Sequence, residues 1–239
     1  MENFSVQGFL WIPLTIICLG IILYGLNSVV QRSEWDQPKK MKVVLGTLTV
    51  ILIWVVLLTI FSLKGFFSQI NQLPPRPVFA ILIPLPIVLL VAFSKTGTQL
   101  LQRVPQHWLV FMQSFRIFVE ILLWVAFLLG KLPIQMTFEG GNLDILSGLV
   151  ALPIGYYLLK NKSHSSKLTL AYNVIGILLL INILTIAVLS MPTPFRYFMN
   201  EPSNTIVGQF PFIFLPGVLV PIAYSFHIFS LRKLSLGRS

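Results

Sequence analysis

Charge is scarce in this sequence. Of 239 residues, 17 are Lys or Arg and 7 are Asp or Glu, so charged side chains make up 10% against 56% that are hydrophobic. Soluble domains devote about a quarter of their residues to charge, so this shortage excludes an ordinary water-facing surface. Cysteine is nearly absent: the lone Cys18 excludes an intramolecular disulfide and any multi-cysteine zinc or iron–sulfur centre. The signatures HExxH and GxSxG, a phosphate-binding glycine loop and an aspartate-rich metal motif are all missing, so nothing favours an enzyme. The last apolar run holds no lysine, and Lys131, Lys160 and Lys233 flank the ends of runs, which argues against a Schiff-base photoreceptor.

What the chain has in quantity is apolar length. Its mean hydropathy is +0.86. Seven apolar segments, near 7–27, 42–63, 77–94, 107–129, 143–159, 168–190 and 209–230, approach or reach the roughly 17–25 residues that cross a hydrocarbon core. The third and fifth are short and contain prolines. Lipid offers no partner to backbone polar groups, so the spans are expected to be helices. The fold expected is all-α: a polytopic transmembrane bundle of about seven helices, forming one integral membrane domain over 1–239 with no room for a separate soluble module.

The net charge of +10 is unevenly placed. With the loop after the first helix taken as inside, 28–41, 95–106, 160–167 and 231–239, counting Lys42 at the edge of the second helix, hold Arg32, Lys39, Lys40, Lys42, Lys95, Arg103, Lys160, Lys162, Lys167, Arg232, Lys233 and Arg238. The outside segments hold only Lys64, Arg76, Lys131 and Arg196, and these are balanced by Glu2, Glu139, Asp144 and Glu201. This asymmetry predicts an N-terminus outside and a C-terminus in the cytoplasm. The basic excess then faces the cytoplasmic leaflet, where anionic lipid is the expected partner and nucleic acid is not. "MENFSVQG" carries no basic n-region, so the first apolar run reads as a retained helix rather than a cleaved signal.

The inside loops are short. The outside connections "KLPIQMTFEGGNLD" (131–144) and "MPTPFRYFMNEPSNTIVGQF" (191–210) mix turn formers, aromatics and both charges, and are expected to fold over the helix ends. "LPIVLLVAFSK", "LPIGYYLLKNK" and "VPIAYSFHIFS" share prolines at 86, 153 and 221, which suits either a threefold hairpin repeat or chance among apolar residues. Each proline frees the carbonyl four residues earlier. In "FPFIFLPGVLVPIAY", Pro216 and Pro221 free those of Phe212 and Gly217, and such a helix kinks or partly unwinds.

The chemistry worth weighing lies in "QSFRIFVEILLW", residues 113–124. Arg116 and Glu120 flank Phe118, the centre of the fourth span, and each lies only about 3 Å from the midplane along the helix axis. Four apart, they share a face and can pair, and Gln113 and Trp124 extend that stripe. An unpaired charge at this depth costs at least about 2.5–3.5 kcal/mol, so the face must look into the bundle or a wet cavity. Two readings stay open: a structural ion pair that fixes packing, or a site for a small solute, ion or proton. In the second, Arg116 is the anion-facing or pairing charge and Glu120 its partner or a proton carrier. The turn "TFEGGNLD" brings Glu139, Asn142 and Asp144 to the outer start of the fifth helix, as caps or, with Arg196 and Glu201, as the mouth of an outward-facing pocket.

All three histidines fall towards the cytoplasmic side, with His107 and His227 the pair best placed for haem or metal ligation. Interfacial histidines are more often solvated or capping, and no cofactor is expected. The run from "FRIFVE" through "GKLPIQMTFEGGNLDILSG", followed by "FPFIFLPGVLVPIAYSFHIFSLRKL", resembles uncharacterised bacterial multi-pass membrane proteins over roughly the second half of the chain. That resemblance implies a bacterial inner-membrane location and says nothing of sites. The function expected is binding or transport of a small solute or ion through a central polar site. The alternative is a membrane component that anchors or assembles with a protein partner, whose identity the sequence leaves unknown.

Overall fold

The computed structural model describes residues 6–161 and 166–237. Among them helices α1 (Val6–Phe9), α2 (Trp11–Gln31), α3 (Gln37–Leu63), α4 (Arg76–Leu82), α5 (Pro84–Phe93), α6 (Lys95–Arg103), α7 (Gln106–Phe111), α8 (Phe115–Leu128), α9 (Asp144–Lys160), α10 (Ser166–Leu189) and α11 (Val220–Leu236) follow one another, with no β-strand. Six segments are long and apolar enough to cross a membrane: Trp11–Gln31, Gln37–Leu63, Arg76–Phe93, Gln106–Leu128, Ser166–Leu189 and Leu215–Leu236. The expected segment without a place among these six is the fifth, α9, whose 17 residues are fewer than any of theirs.

The breaks inside these segments have identifiable causes. Pro84 cannot donate a backbone bond, so the third segment is interrupted at Ile83 between α4 and α5. Pro216 and Pro221 open the seventh into a π-helical turn, Leu215–Leu219, before α11. The carbonyl that Pro221 frees is taken: Trp54 Nε1 on α3 donates to Gly217 O at 2.7 Å. Phe212 O accepts from Leu215 N at 2.9 Å.

Several expected boundaries shift. The segment placed at 209–230 spans Leu215–Leu236 instead. Phe212, Ile213 and Phe214 are buried in the protein core, so the apolarity there belongs to packing rather than to a lipid-facing span. The inside segment 95–106, read as a loop, is largely the helix α6, capped by Ser94 Oγ, which accepts from Gly97 N at 2.9 Å. Lys233 Nζ closes its other end by donating to the carbonyls of Leu101 and Gln102 at 2.9 and 3.1 Å.

The fourth and seventh segments are the most buried, and α11 packs against α5, α6, α7 and α10. Helix faces follow the 3.6-residue period. On α8 the buried residues are Phe115, Arg116, Val119, Glu120, Leu123 and Ala126. On α9 they are Asp144, Ser147, Gly148, Ala151 and Gly155, a small-residue face that lets α7 and α8 approach closely. A Cβ on Gly155 would meet the Phe111 ring at 2.7 Å. By contrast α3 buries only Leu58 and Ser62 and exposes most of its apolar surface, as a lipid-facing helix does.

The connections 131–143 and 191–210 fold over the helix ends. In 131–143, Leu132, Gln135, Met136, Thr137 and Asn142 are buried. Gly141, at φ 115°, makes the turn that returns the chain to α9. Ile70, Met191 and Val207 form a second apolar cluster among the connecting loops.

Candidate functional site

Arg116 is 1% exposed and its partners are not those its helix face suggested. Its guanidinium meets Asp144 side-on: Nε donates to Oδ2 at 2.7 Å, and Nη2 forms an ion pair with Oδ1. Nη1 lies 2.7 Å from Ser147 Oγ and 3.0 Å from His227 Nε2. These contacts use four of the five N–H donors that a guanidinium carries. The pairing expected with Glu120 is therefore corrected: among the described residues the ion pairs are Arg116–Asp144 and Arg196–Glu201. Planar bidentate geometry explains the preference, because the start of α9 delivers a carboxylate edge-on to the fork.

This arrangement dictates the state of His227. A guanidinium only donates, so Nε2 accepts and Nδ1 carries the proton, which it donates to Asn173 Oδ1 at 2.9 Å. Asn173 Nδ2 in turn donates to Thr169 O and Ser230 Oγ, both at 2.7 Å, and Gln106 Nε2 reaches Ser230 Oγ at 2.6 Å. One buried polar chain thus runs from Asp144 through Arg116 and His227 to Gln106. Gly176 permits it, since a Cβ there would collide with the His227 ring. With both nitrogens engaged, His227 has none to offer a metal or haem, and it is 0% exposed rather than interfacial. His107 is elsewhere, its ring edge-on to Phe111 at 6.2 Å. His164 lies outside the described residues.

Glu120, also 1% exposed, is held differently. Asn142 Nδ2 donates to its Oε2 at 2.6 Å and to Met136 O at 3.0 Å, while Asn142 Oδ1 accepts from Asp144 N at 3.0 Å. Asn142 so caps the start of α9 and binds the carboxylate at once. The other oxygen, Oε1, takes no hydrogen bond among the described residues. Glu120 lies on the wall of a cavity of about 60 Å³, with Arg116 and Asp144 the other charged groups there. The rest of the wall is apolar, from Val78 and Ile81 on α4, Leu123 on α8, Leu184 and Val188 on α10, and Leu219 in the π turn. A water needs roughly 10–15 Å³ of such space, so the cavity admits a few heavy atoms beside the carboxylate.

The remaining expected site residues separate from this cluster. Gln113 is buried and donates to Ala223 O at 2.9 Å, bracing α11 rather than extending a polar stripe to Arg116. Glu139 is exposed and accepts from Trp124 Nε1 at 3.0 Å. Asn142 and Asp144 sit inside the bundle, not at a mouth. Arg196 and Glu201 pair with each other at 2.9 Å in the last outer loop. That contact, with the Ser203 N–H, holds the Glu201 carboxyl below its usual range.

A family model described as a domain of unknown function, DUF8737, matches residues 74–235. The chain belongs to the DUF8737 family. No curated protein and no solved structure matches it. The DUF8737 region begins just before α4 and contains every residue of the Arg116 cluster and every wall of the cavity. Helices α2 and α3 precede it.

Within that region, sequence reasoning missed Ser147 and His227 as partners of the arginine and Asn173 as the partner of His227. Their signal was present: each is a polar residue set in an apolar run, at a level that only the packing of α9, α10 and α11 brings beside Arg116.

Proposed function

We propose that this chain is a seven-span membrane protein that binds a small solute through the Glu120 carboxylate. The solute offers an N–H or O–H donor, or a cationic head. The carrying observation is Glu120 Oε1, which accepts no hydrogen bond from the described residues and belongs to a side chain on the cavity wall. A donor that enters the cavity can bond this oxygen, and a hydrogen bond to a charged group contributes about 1.5–3 kcal/mol. Arg116 is not the solute-facing group in this reading, because Asp144, Ser147 and His227 already occupy it.

Methylammonium and ammonium are the simplest test ligands. In nanodiscs they raise the melting temperature of the wild type, and Glu120→Gln removes the effect. An unchanged response in Glu120→Gln overturns the reading. Flux of labelled methylammonium into proteoliposomes then distinguishes transport from binding alone.

The span added to those six in this proposal is α9, with the N-terminus outside and the C-terminus in the cytoplasm, as the basic residues around α6 and the end of α11 support. The resemblance to bacterial multi-pass proteins supports an inner-membrane location. A reporter at residue 239 active only in the cytoplasm is the expected result, and periplasmic activity there overturns the orientation.

A second reading, assembly with a protein partner, has one observation in its favour. In the last outer loop Phe195, Tyr197 and Met199 occupy alternate positions and are 67%, 74% and 70% exposed. Replacing all three with serine shrinks any native complex if that face docks a partner, and leaves its size unchanged if it does not.

A further inference from the structure

Resting on the Glu120 reading, we infer that the solute is a single-chain amphiphile with an amine head, and that it reaches the cavity sideways from the bilayer between α4 and α10. Three routes to Glu120 can be compared. From the outside, the way is covered by the buried loop residues Leu132, Met136 and Asn142 and by the Ile70, Met191 and Val207 cluster. From the inside it is filled by Arg116, its partners Ser147 and His227, and Gln113 bound to Ala223 O. The side is different. Among the described residues α4 packs chiefly on the π turn and α5, and α10 on α11 and α9, so neither has the other as a main packing partner. Val78 and Ile81 on one edge, and Leu184 and Val188 on the other, line the cavity yet are only half-buried.

Chemistry narrows the occupant. Both edges are wholly aliphatic, which suits a hydrocarbon chain and offers nothing to a hydrated ion crossing them. About 60 Å³ holds a head group but no chain, so a bound amphiphile keeps its tail in the gap. With Arg116 offset by Asp144, Glu120 is the group left to select the head. A carboxylate accepts from an ammonium and repels another carboxylate, so a long-chain amine fits and a fatty acid does not.

The test uses the whole chain in nanodiscs with dodecylamine, dodecanoate and methylammonium. At a hundredfold excess over its Kd, dodecylamine raises the melting temperature by about 5 °C or more, and dodecanoate leaves it unchanged. Leu184→Trp, which fills the gap, abolishes the dodecylamine shift. Ile175→Trp, on an exposed part of α10, does not. A photoreactive alkyl amine labels Val78, Ile81, Leu184 or Val188, which gives an answer even if Leu184→Trp fails to fold. Full response in a folded Leu184→Trp, or labelling confined to other helices, overturns lateral access while the Glu120 reading stands. An undiminished dodecylamine and methylammonium response in Glu120→Gln overturns both. Equal stabilisation by dodecanoate overturns the amine assignment.

Discussion

Breaking the Arg116–Asp144 pair tests the interior most directly. Arg116→Met strands the Asp144 carboxylate at 5% exposure, and Asp144→Leu strands a guanidinium at 1%. Leaving one buried charge without its partner costs about 3–5 kcal/mol. For a chain of this size each kcal/mol moves the melting temperature by roughly 2–4 °C, so each single variant falls by roughly 6–20 °C. The double variant carries no stranded charge. It still leaves His227 Nε2 and Ser147 Oγ without the donors they have now, for a residual cost of about 1–3 kcal/mol. The two singles then sum to at least about 6 kcal/mol, and the double falls short of that sum by at least about 3 kcal/mol. Reversible unfolding in nanodiscs, followed by intrinsic fluorescence, measures all four corners of the cycle. A parallel cycle on Arg116 and Glu120 gives the smaller coupling, because the Glu120 hydrogen bond goes to Asn142. Additive losses for Arg116 and Asp144, or a larger coupling to Glu120, refute the argument.

Trp54→Phe removes the donor to Gly217 O, whose helical partner Pro221 cannot supply, and lowers stability by about 1–3 kcal/mol; Trp54→His, with its ring N–H, recovers part of the loss in the same melt. Gly176→Ala drives a methyl into the His227 ring and costs about 1–3 kcal/mol by overpacking. Gly20→Ala, with open space around it, moves the melting temperature far less. Glu201 titrates below the ordinary glutamate value because of Arg196 and the Ser203 N–H. A depressed folded pKa gives a contribution that is present above the unfolded value and lost as pH falls through the folded one. Order in the loop 196–203 therefore persists at neutral pH and loosens only under acid conditions. NMR of labelled glutamate shows this, and Arg196→Gln returns the titration towards the ordinary value.

Periodicity and depth made much of the interior legible. Arg116, Glu120, Asn142 and Asp144 stood out because polar residues inside apolar runs must find partners, and in the structure all four are buried together. The proline argument correctly identified Gly217 O as a carbonyl in need of a donor, but not which helix supplies it. The choice of Asp144 over Glu120 was not legible. Spacing along α8 favours the partner four residues away, whereas the fork geometry of arginine favours a carboxylate presented edge-on from another helix.

What the sequence by itself determined is the solvent and the elements. Long apolar runs, a shortage of charge and the need to satisfy every backbone group internally leave helices crossing lipid as the solution for this chain. What only tertiary structure decided is which polar groups meet. Ser147, Asn173 and His227 are separated from Arg116 by 31, 57 and 111 positions, too far apart for any local period to connect. Their meeting depends on how deeply α9 begins and how closely Gly148 and Gly176 let the helices approach. The state of Glu120 Oε1 has the same origin: Asn142 Nδ2 is committed to Oε2 and Met136 O, and the Arg116 fork is turned to Asp144.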